Sequence, residues 1–169
     1  DKGNQLIQFN GFARLDQHDE NRTHADIREL YYQAIFKKSE LSIGVKKIFW
    51  GVTESNHLVD IINQSDVVEG FDIEQKLGQP MVHYSISPSW GTIDFMVMTY
   101  FRKMKFPGTE GRLRPSFQID DSKTTYESEM EEYNPDLAIR WGHSIGIFDL
   151  GLSHFYGTSR LAFFQTTDG

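Results

Sequence analysis

The residue types that most often do chemistry in proteins are scattered along this sequence and form no familiar motif. Ser153 and His154 are neighbours, but adjacent residues of a strand point to opposite faces and do not make a nucleophile and its base. The sequence has no Gly-x-Ser-x-Gly, phosphate-loop or dinucleotide-binding pattern. We therefore expect no catalytic step, no metal site and no cofactor. The 6 histidines show no metal-ligand spacing such as H-E-x-x-H; they are His18, His24, His57, His83, His143 and His154.

Apolar and polar residues alternate along several segments. Residues 29–50 alternate over two arms that are joined by a polar turn at residues 37–40. The same period of two recurs in residues 5–15, 81–101 and 136–156. Such a period predicts strands with one apolar and one polar face. The sequence therefore predicts a meander of antiparallel hairpins.

The connections between these strands alternate between long and short. Strands of roughly nine to eleven residues have the length that crosses a bilayer when tilted. The chain is only 38% hydrophobic, which excludes a helical membrane bundle, and 14% aromatic, with many aromatic residues toward strand ends. Short turns, longer loops and a dyad repeat are typical of bacterial outer-membrane barrels. We predict an all-β fold that is part of an antiparallel transmembrane β-barrel.

If the leucine, isoleucine, valine and phenylalanine positions face lipid, the alternating polar positions face the lumen. Charges of both signs on opposite walls of a pore order water and select permeants by charge. The alternative is that they pair across strands and only keep the lumen wet. Arg28 and Lys47 fall on the opposite phase, where we expect them to reach lipid headgroups. The predicted pore-lining residues are Gln8, Asn10, Arg14, Glu29, Gln33, Lys46, His83, Asp94, Arg140 and Asp149.

The connection at residues 51–78 is long for a compact domain, which favours a functional role. It either folds inward, with Asp60 and Asp66 as constriction residues that meet inward bases, or lies in solvent, as loops usually do. A short helix is expected near residues 65–68. Further candidate strands are residues 113–119 and 161–165.

Acidic residues dominate the balance of charge. The net charge of -7 argues against a nucleic-acid partner, because phosphate binding needs a basic surface. Residues 127–136 are rich in carboxylates, which bind divalent cations near lipopolysaccharide in one interpretation. The run lacks regular calcium-ligand spacing, so a solvated loop is the commoner case.

Several short motifs stand together in this sequence. They are Arg28-Glu29-Leu30-Tyr31, the strand from Gly44 to Gly51, the loop from Asp60 to Asp66, and the Arg-Trp and Phe-Tyr-Gly-Thr-x-Arg patterns within residues 136–160. These motifs resemble a family of Gram-negative outer-membrane proteins of unknown function, large porin-like barrels similar to the alginate-export porins. Val45 stands where that family usually has lysine, and Gln64-Ser65 replaces its Asn-Pro. The resemblance covers residues 26–161 and implies a porin-like barrel.

We expect residues 1–169 to be a single segment of a longer barrel, because the predicted strand count is odd and single-chain bacterial barrels have even counts. The expected function is passive passage of small hydrophilic solutes through the bacterial outer membrane, in contact with lipid and lipopolysaccharide. The first alternative is a soluble or periplasmic β-domain that binds a ligand or protein partner. The second alternative is a barrel enzyme, which requires that two or more of the lumen-facing polar groups lie within hydrogen-bond distance of one another. Apolar positions packed beneath a second sheet or a helix would contradict the channel.

Overall fold

The computed structural model describes residues 4–49, 61–70, 75–111, 114–117 and 119–165, and its strands form one antiparallel sheet. The 7 strands are hydrogen-bonded in chain order, and the sheet is not closed. This confirms the predicted all-β meander and agrees with a partial barrel. The strands are β1 (Asn4–Arg14), β2 (His24–Ile35), β3 (Ser39–Lys46), β4 (Gln79–Ile86), β5 (Thr92–Met98), β6 (Asp136–Ile145) and β7 (Phe148–Tyr156); short 3-10 turns lie at Glu20–Arg22, Asp121–Lys123 and Glu131–Tyr133.

Long and short connections alternate as predicted. Because successive antiparallel strands reverse direction, all short turns lie at one end of the sheet, the turn end, and all long connections at the other, the loop end. At the shortest turn, Gly146 has a φ of 62°, a left-handed conformation that glycine adopts without strain. The short turns are residues 36–38, 87–91 and 146–147, and the long connections are residues 15–23, 47–78 and 99–135.

Three predicted elements are not found in the described residues. Residues 65–68 form no helix, because the Asp66 amide donates to the Gln75 carbonyl at 2.7 Å and the chain turns there instead. Residues 161–165 form no strand, and Phe164 instead packs against the Phe106 ring at 5.5 Å between ring centroids. The described part of residues 113–119 contains no strand either, and residues 113 and 118 lie outside the described residues.

The pairing register gives every strand a set of apolar positions on the same side of the sheet, the apolar face. One row of paired residues crosses the whole sheet on this face, and every member is exposed, from 38% for Val82 to 75% for Ile7. No second sheet or helix of the described chain covers it. The row is Ile7, Tyr32, Ile43, Val82, Val97, Leu137 and Tyr156.

A bulge in β2 changes the orientation of Arg28. Asn10 pairs with Glu29 whereas Gly11 pairs with Ile27, so Arg28 is an extra residue in β2. An extra residue bends the strand and redirects its side chain. Arg28 therefore points away from the apolar face and is only 7% exposed. The expectation that Arg28 reaches lipid headgroups is wrong.

The buried apolar cluster lies on the opposite side of the sheet, the polar face. Ile62 from the long β3–β4 connection packs there on methionines of β4 and β5, and Ile48 and Phe155 pack against the cluster. Residues 61–70 and 75–78 of this connection are called the covering segment. No helix in the described ranges is long and apolar enough to cross a membrane. The cluster comprises Ile62, Met81, Met96, Met98 and Ala138.

Candidate functional site on the polar face

The polar face carries all the residues that the sequence predicts to line a pore. Cα pairing joins Asn10 to Glu29 and Asp94 to Arg140 on this face. Alternation along each strand brings the other predicted residues to the same side. These are Gln8, Arg14, Gln33, Lys46, His83 and Asp149.

A connected set of titratable side chains crosses the polar face from β3 to β6. Lys46 Nζ lies 3.4 Å from Glu40 Oε1 and 3.4 Å from His83 Nδ1. On the other side of the imidazole, His83 Nε2 lies 3.0 Å from Asp94 Oδ1. Asp94 in turn pairs across the strands with Arg140. These residues, called the charge ladder, run along β3 from Glu40 to Lys46 and then cross β4 and β5 to Arg140 on β6.

Ser42 adds a hydroxyl group to the charge ladder, 3.1 Å from Lys46 Nζ. A serine close to a lysine, with a His83–Asp94 contact nearby, meets the requirement that inward groups lie within hydrogen-bond reach. However, Ser42 is only 1% exposed, and its hydroxyl lies 3.3 Å from the same Glu40 carboxylate that pairs with Lys46. Because a substrate has no access to this hydroxyl, the contacts favour an electrostatic role over nucleophilic attack.

Among the described residues, no group of three or more histidine, aspartate and glutamate side chains could hold a metal ion. In the acidic run of residues 127–136, Glu132 accepts hydrogen bonds from Tyr126 at 2.8 Å and Tyr100 at 3.2 Å. Burial, together with the Glu132 carboxylate, raises the pKa of both phenols. Glu132 of this run therefore binds two tyrosine side chains of the same connection.

Asn63 fastens the covering segment to the sheet. Its Nδ2 donates to the Lys46 carbonyl at 3.1 Å and to the Leu77 carbonyl at 2.8 Å, and its Oδ1 accepts from the Ile48 amide at 2.9 Å. The side chain is 1% exposed, and this one amide satisfies three backbone groups. Such a fully bonded buried amide fixes where the connection crosses the polar face.

Arginines of β1 and β2 bind the carboxylates of the covering segment. Arg14 pairs with Glu69 at 2.5 Å, and Arg28 pairs with Asp66, which is only 5% exposed. The described part of the connection therefore lies on the polar face, where Asp66 contacts Arg28. Asp60, the other predicted constriction residue, lies outside the described residues.

A third arginine binds the covering segment from beyond β7. Arg160 Nε donates to the Ile62 carbonyl at 3.0 Å, and its Nη1 lies 2.7 Å from Asp136 Oδ2. Burial lowers the pKa of Arg160, and the Asp136 carboxylate opposes that shift. Thr158 donates its amide to Asp136 Oδ1 at 2.8 Å. A Cβ on Gly157 would lie 2.1 Å from the same oxygen, so only glycine fits there.

Lys47 lies beside residues of the polar face, whereas the sequence predicted it on the opposite face. It lines a cleft of about 240 Å³ with His83, Asp94 and Arg140 of the polar face. After β3 the chain turns onto the polar face, where Ile48 packs on the buried cluster. Lys47, the residue before Ile48, is therefore drawn to the same face. The expectation that Lys47 reaches lipid headgroups is therefore also wrong.

Sequence reasoning missed Asn63, Asp136 and Arg160 as anchors of the covering segment. Two of them lie inside the motifs noted in the sequence: Asn63 in the Asp60 to Asp66 loop and Arg160 in the Phe-Tyr-Gly-Thr-x-Arg pattern. Treating these motifs as sites of backbone hydrogen bonding would have found them. Asp136 carries no local signal, because its burial depends on the return of the chain after β7.

Comparison with known proteins gives no match to a family model, to a curated protein or to a solved structure.

Proposed function

We propose that the seven strands form part of the wall of an outer-membrane β-barrel through which small hydrophilic solutes pass passively. The observation that carries the proposal is the apolar face. Large apolar side chains are exposed along every strand of the sheet, and no described element covers them. Soluble monomers rarely expose a continuous apolar patch of more than a few hundred Å². Lipid is the solvent that suits such a face.

The polar face supplies the chemistry of the lumen in this proposal. The charge ladder holds cations and anions at fixed positions, with Glu40 and Lys46 on β3 and Arg140 on β6. Paired charges of this kind create a transverse field that orders water and distinguishes permeants by charge. The mechanism is diffusion with size exclusion and charge selection, and it needs no cofactor.

The covering segment narrows the passage. It lies on the polar face with its acids held by Arg14 and Arg28, and so occupies lumen space at the loop end. Inward loops that reduce the cross-section of a pore set the size limit for solutes. A cleft lined by Lys47 and Arg140 leaves free space on the polar face.

Membrane extraction tests the compartment first. We expect the protein to stay in the membrane fraction after a carbonate wash, to need detergent for solubilisation, and to shift its gel mobility on heating. A protein that stays in buffer without detergent would favour the soluble β-domain, with the apolar face as a partner surface.

The substitution Arg140→Glu tests the role of the charge ladder. Replacing a cation beside Asp94 with an anion makes the lumen more negative, so selectivity in planar bilayers should shift toward cations. The matched control is Lys37→Glu, the same charge change at an exposed turn residue. An unchanged reversal potential in Arg140→Glu, or an equal shift in the control, would rule out charge selection by this residue.

A further inference from the structure

The two edges of the sheet lack partners within the described residues. β1 pairs only with β2, and β7 pairs only with β6. Most residues of both edge strands are exposed. In the proposed function, on which this inference rests, these edges lie in hydrocarbon, where unpaired backbone groups are costly and open edges do not occur. Something must pair with both strands.

Direct closure of β1 onto β7 conflicts with strand direction. All six pairings in the sheet are antiparallel, so odd-numbered strands run the same way. β1 and β7 would therefore meet as parallel neighbours. Bacterial single-chain barrels are antiparallel throughout and have even strand counts. An odd number of further strands must stand between the two edges.

A second copy of this chain does not solve the problem. Head-to-tail association places β7 of one copy beside β1 of the next, again in parallel. A two-fold axis that pairs β1 with β1 gives antiparallel neighbours but inverts one copy. The long connections of the two copies would then lie on opposite sides of the membrane, against the loop asymmetry of these barrels.

The covering segment sets a lower limit on the number of missing strands. An eight-stranded barrel has an interior just wide enough for its own side chains. Here Ile62 and Asn63 bring backbone onto the polar face, and Arg160 packs beside them. One further strand would leave no room for this layer. Because the missing number is odd, seven strands need at least three more, which gives at least ten.

We propose that β1 and β7 pair with an odd number of further strands, at least three, supplied by polypeptide outside β1–β7 and not by a second copy. Each of these strands alternates apolar and polar residues, so that it continues both faces of the sheet. The strands next to β1 and β7 run antiparallel to them. The partner is thus defined by strand number, direction and periodicity.

Introduced cysteine pairs test this in the membrane-embedded protein, since the sequence has no cysteine. The edge pair is Ile7→Cys with Leu152→Cys, both on the apolar face. The control pair is Ile43→Cys with Val82→Cys, which face each other across β3 and β4. Under oxidation we expect a disulfide in the control pair, and none in the edge pair, within a chain or between copies. Spin labels on the edge pair should lie about 15–20 Å apart or more, against about 10 Å for one intervening strand.

Hydrogen exchange supplies the positive result. Backbone amides of β1 and β7 should be protected as strongly as those of β4, because they are paired. An edge disulfide within one chain would show direct closure, a disulfide-linked dimer would show a second copy, and fast exchange would show unpaired edges; each overturns the inference. A protein that leaves the membrane on carbonate washing instead overturns the proposed function, whatever the state of its edges.

Discussion

The two ends of the polar face differ although both follow the same alternation of residues. At the loop end, Arg28 of β2 and Asp136 of β6 are 7% and 1% exposed, and Asp66 of the covering segment, which pairs with Arg28, is 5% exposed. At the turn end, Ser144 and Asp149 form their hydrogen bond in full contact with solvent. A polar residue of this sheet is therefore structural or solvated according to its distance from the long connections.

This difference predicts unequal contributions of the two ends to stability. Charges at the loop end are desolvated, so each depends on its partner. Removal of one partner leaves the other charge buried and unpaired. Charges at the turn end remain hydrated, and their pair energies are small and screened by salt. We infer that the loop end determines how firmly the covering segment is held, whereas charges at the turn end contribute little to stability.

The largest effect is expected at Asp136. The change Asp136→Ala leaves the buried Arg160 guanidinium without its carboxylate and should reduce the free energy of unfolding by about 3–5 kcal/mol. Asp149→Ala removes a carboxylate from the turn end and should cost less than about 0.5 kcal/mol. Urea unfolding in detergent micelles, followed by the shift between folded and unfolded gel mobility, measures both. Equal losses in the two variants would break the comparison between the ends.

The sequence was sufficient to predict the seven strands of the sheet, although it also predicted strands at residues 113–119 and 161–165 that the described residues do not form. Exposed apolar positions such as Ile7 and Leu137 alternate with polar ones at a strict period of two, and one buried or lipid-facing side fixes that register. The polar side chains of the turn end, among them Arg140 and Asp149, follow from the same count. Nothing beyond local alternation is needed there.

At the loop end, local alternation fails for physical reasons. Arg28 changes face because one extra residue in β2 shifts the register, and no residue type in that strand marks the bulge. Lys47 turns inward because Ile48 and Asn63 draw the chain across the sheet. Such contacts join residues that are distant in sequence, so a single strand pattern does not contain them.

Asn63 allows a sharper test of the covering segment. Asn63→Leu keeps a similar volume but leaves the Ile48 amide and two buried carbonyls without partners, which should cost about 2–3 kcal/mol. The control is Asn10→Leu at an exposed position of the polar face. Limited proteolysis should cut within residues 61–78 sooner in Asn63→Leu only, and single-channel conductance should rise as the segment loosens. Slow cleavage with unchanged conductance would show that other contacts hold the segment.

The smallest effect is expected at Tyr126, which joins the β5–β6 connection through one hydrogen bond instead of a buried ion pair. Its pKa is raised above the ordinary value of 10.0 by burial and by Glu132, so the neutral phenol is the stabilising form. That stabilisation is complete below pH 10 and is lost as the pH rises above it.

Tyr126→Phe should lower stability by about 0.5–1 kcal/mol at pH 8. The gap to wild type should shrink at pH 11, because only wild type has a phenol at position 126 whose ionisation stabilises the unfolded state. Tyr133→Phe, an exposed control, should match wild type at both pH values. Urea midpoints at the two pH values measure this, and a gap that widens with pH would show that Glu132 does not hold Tyr126 neutral.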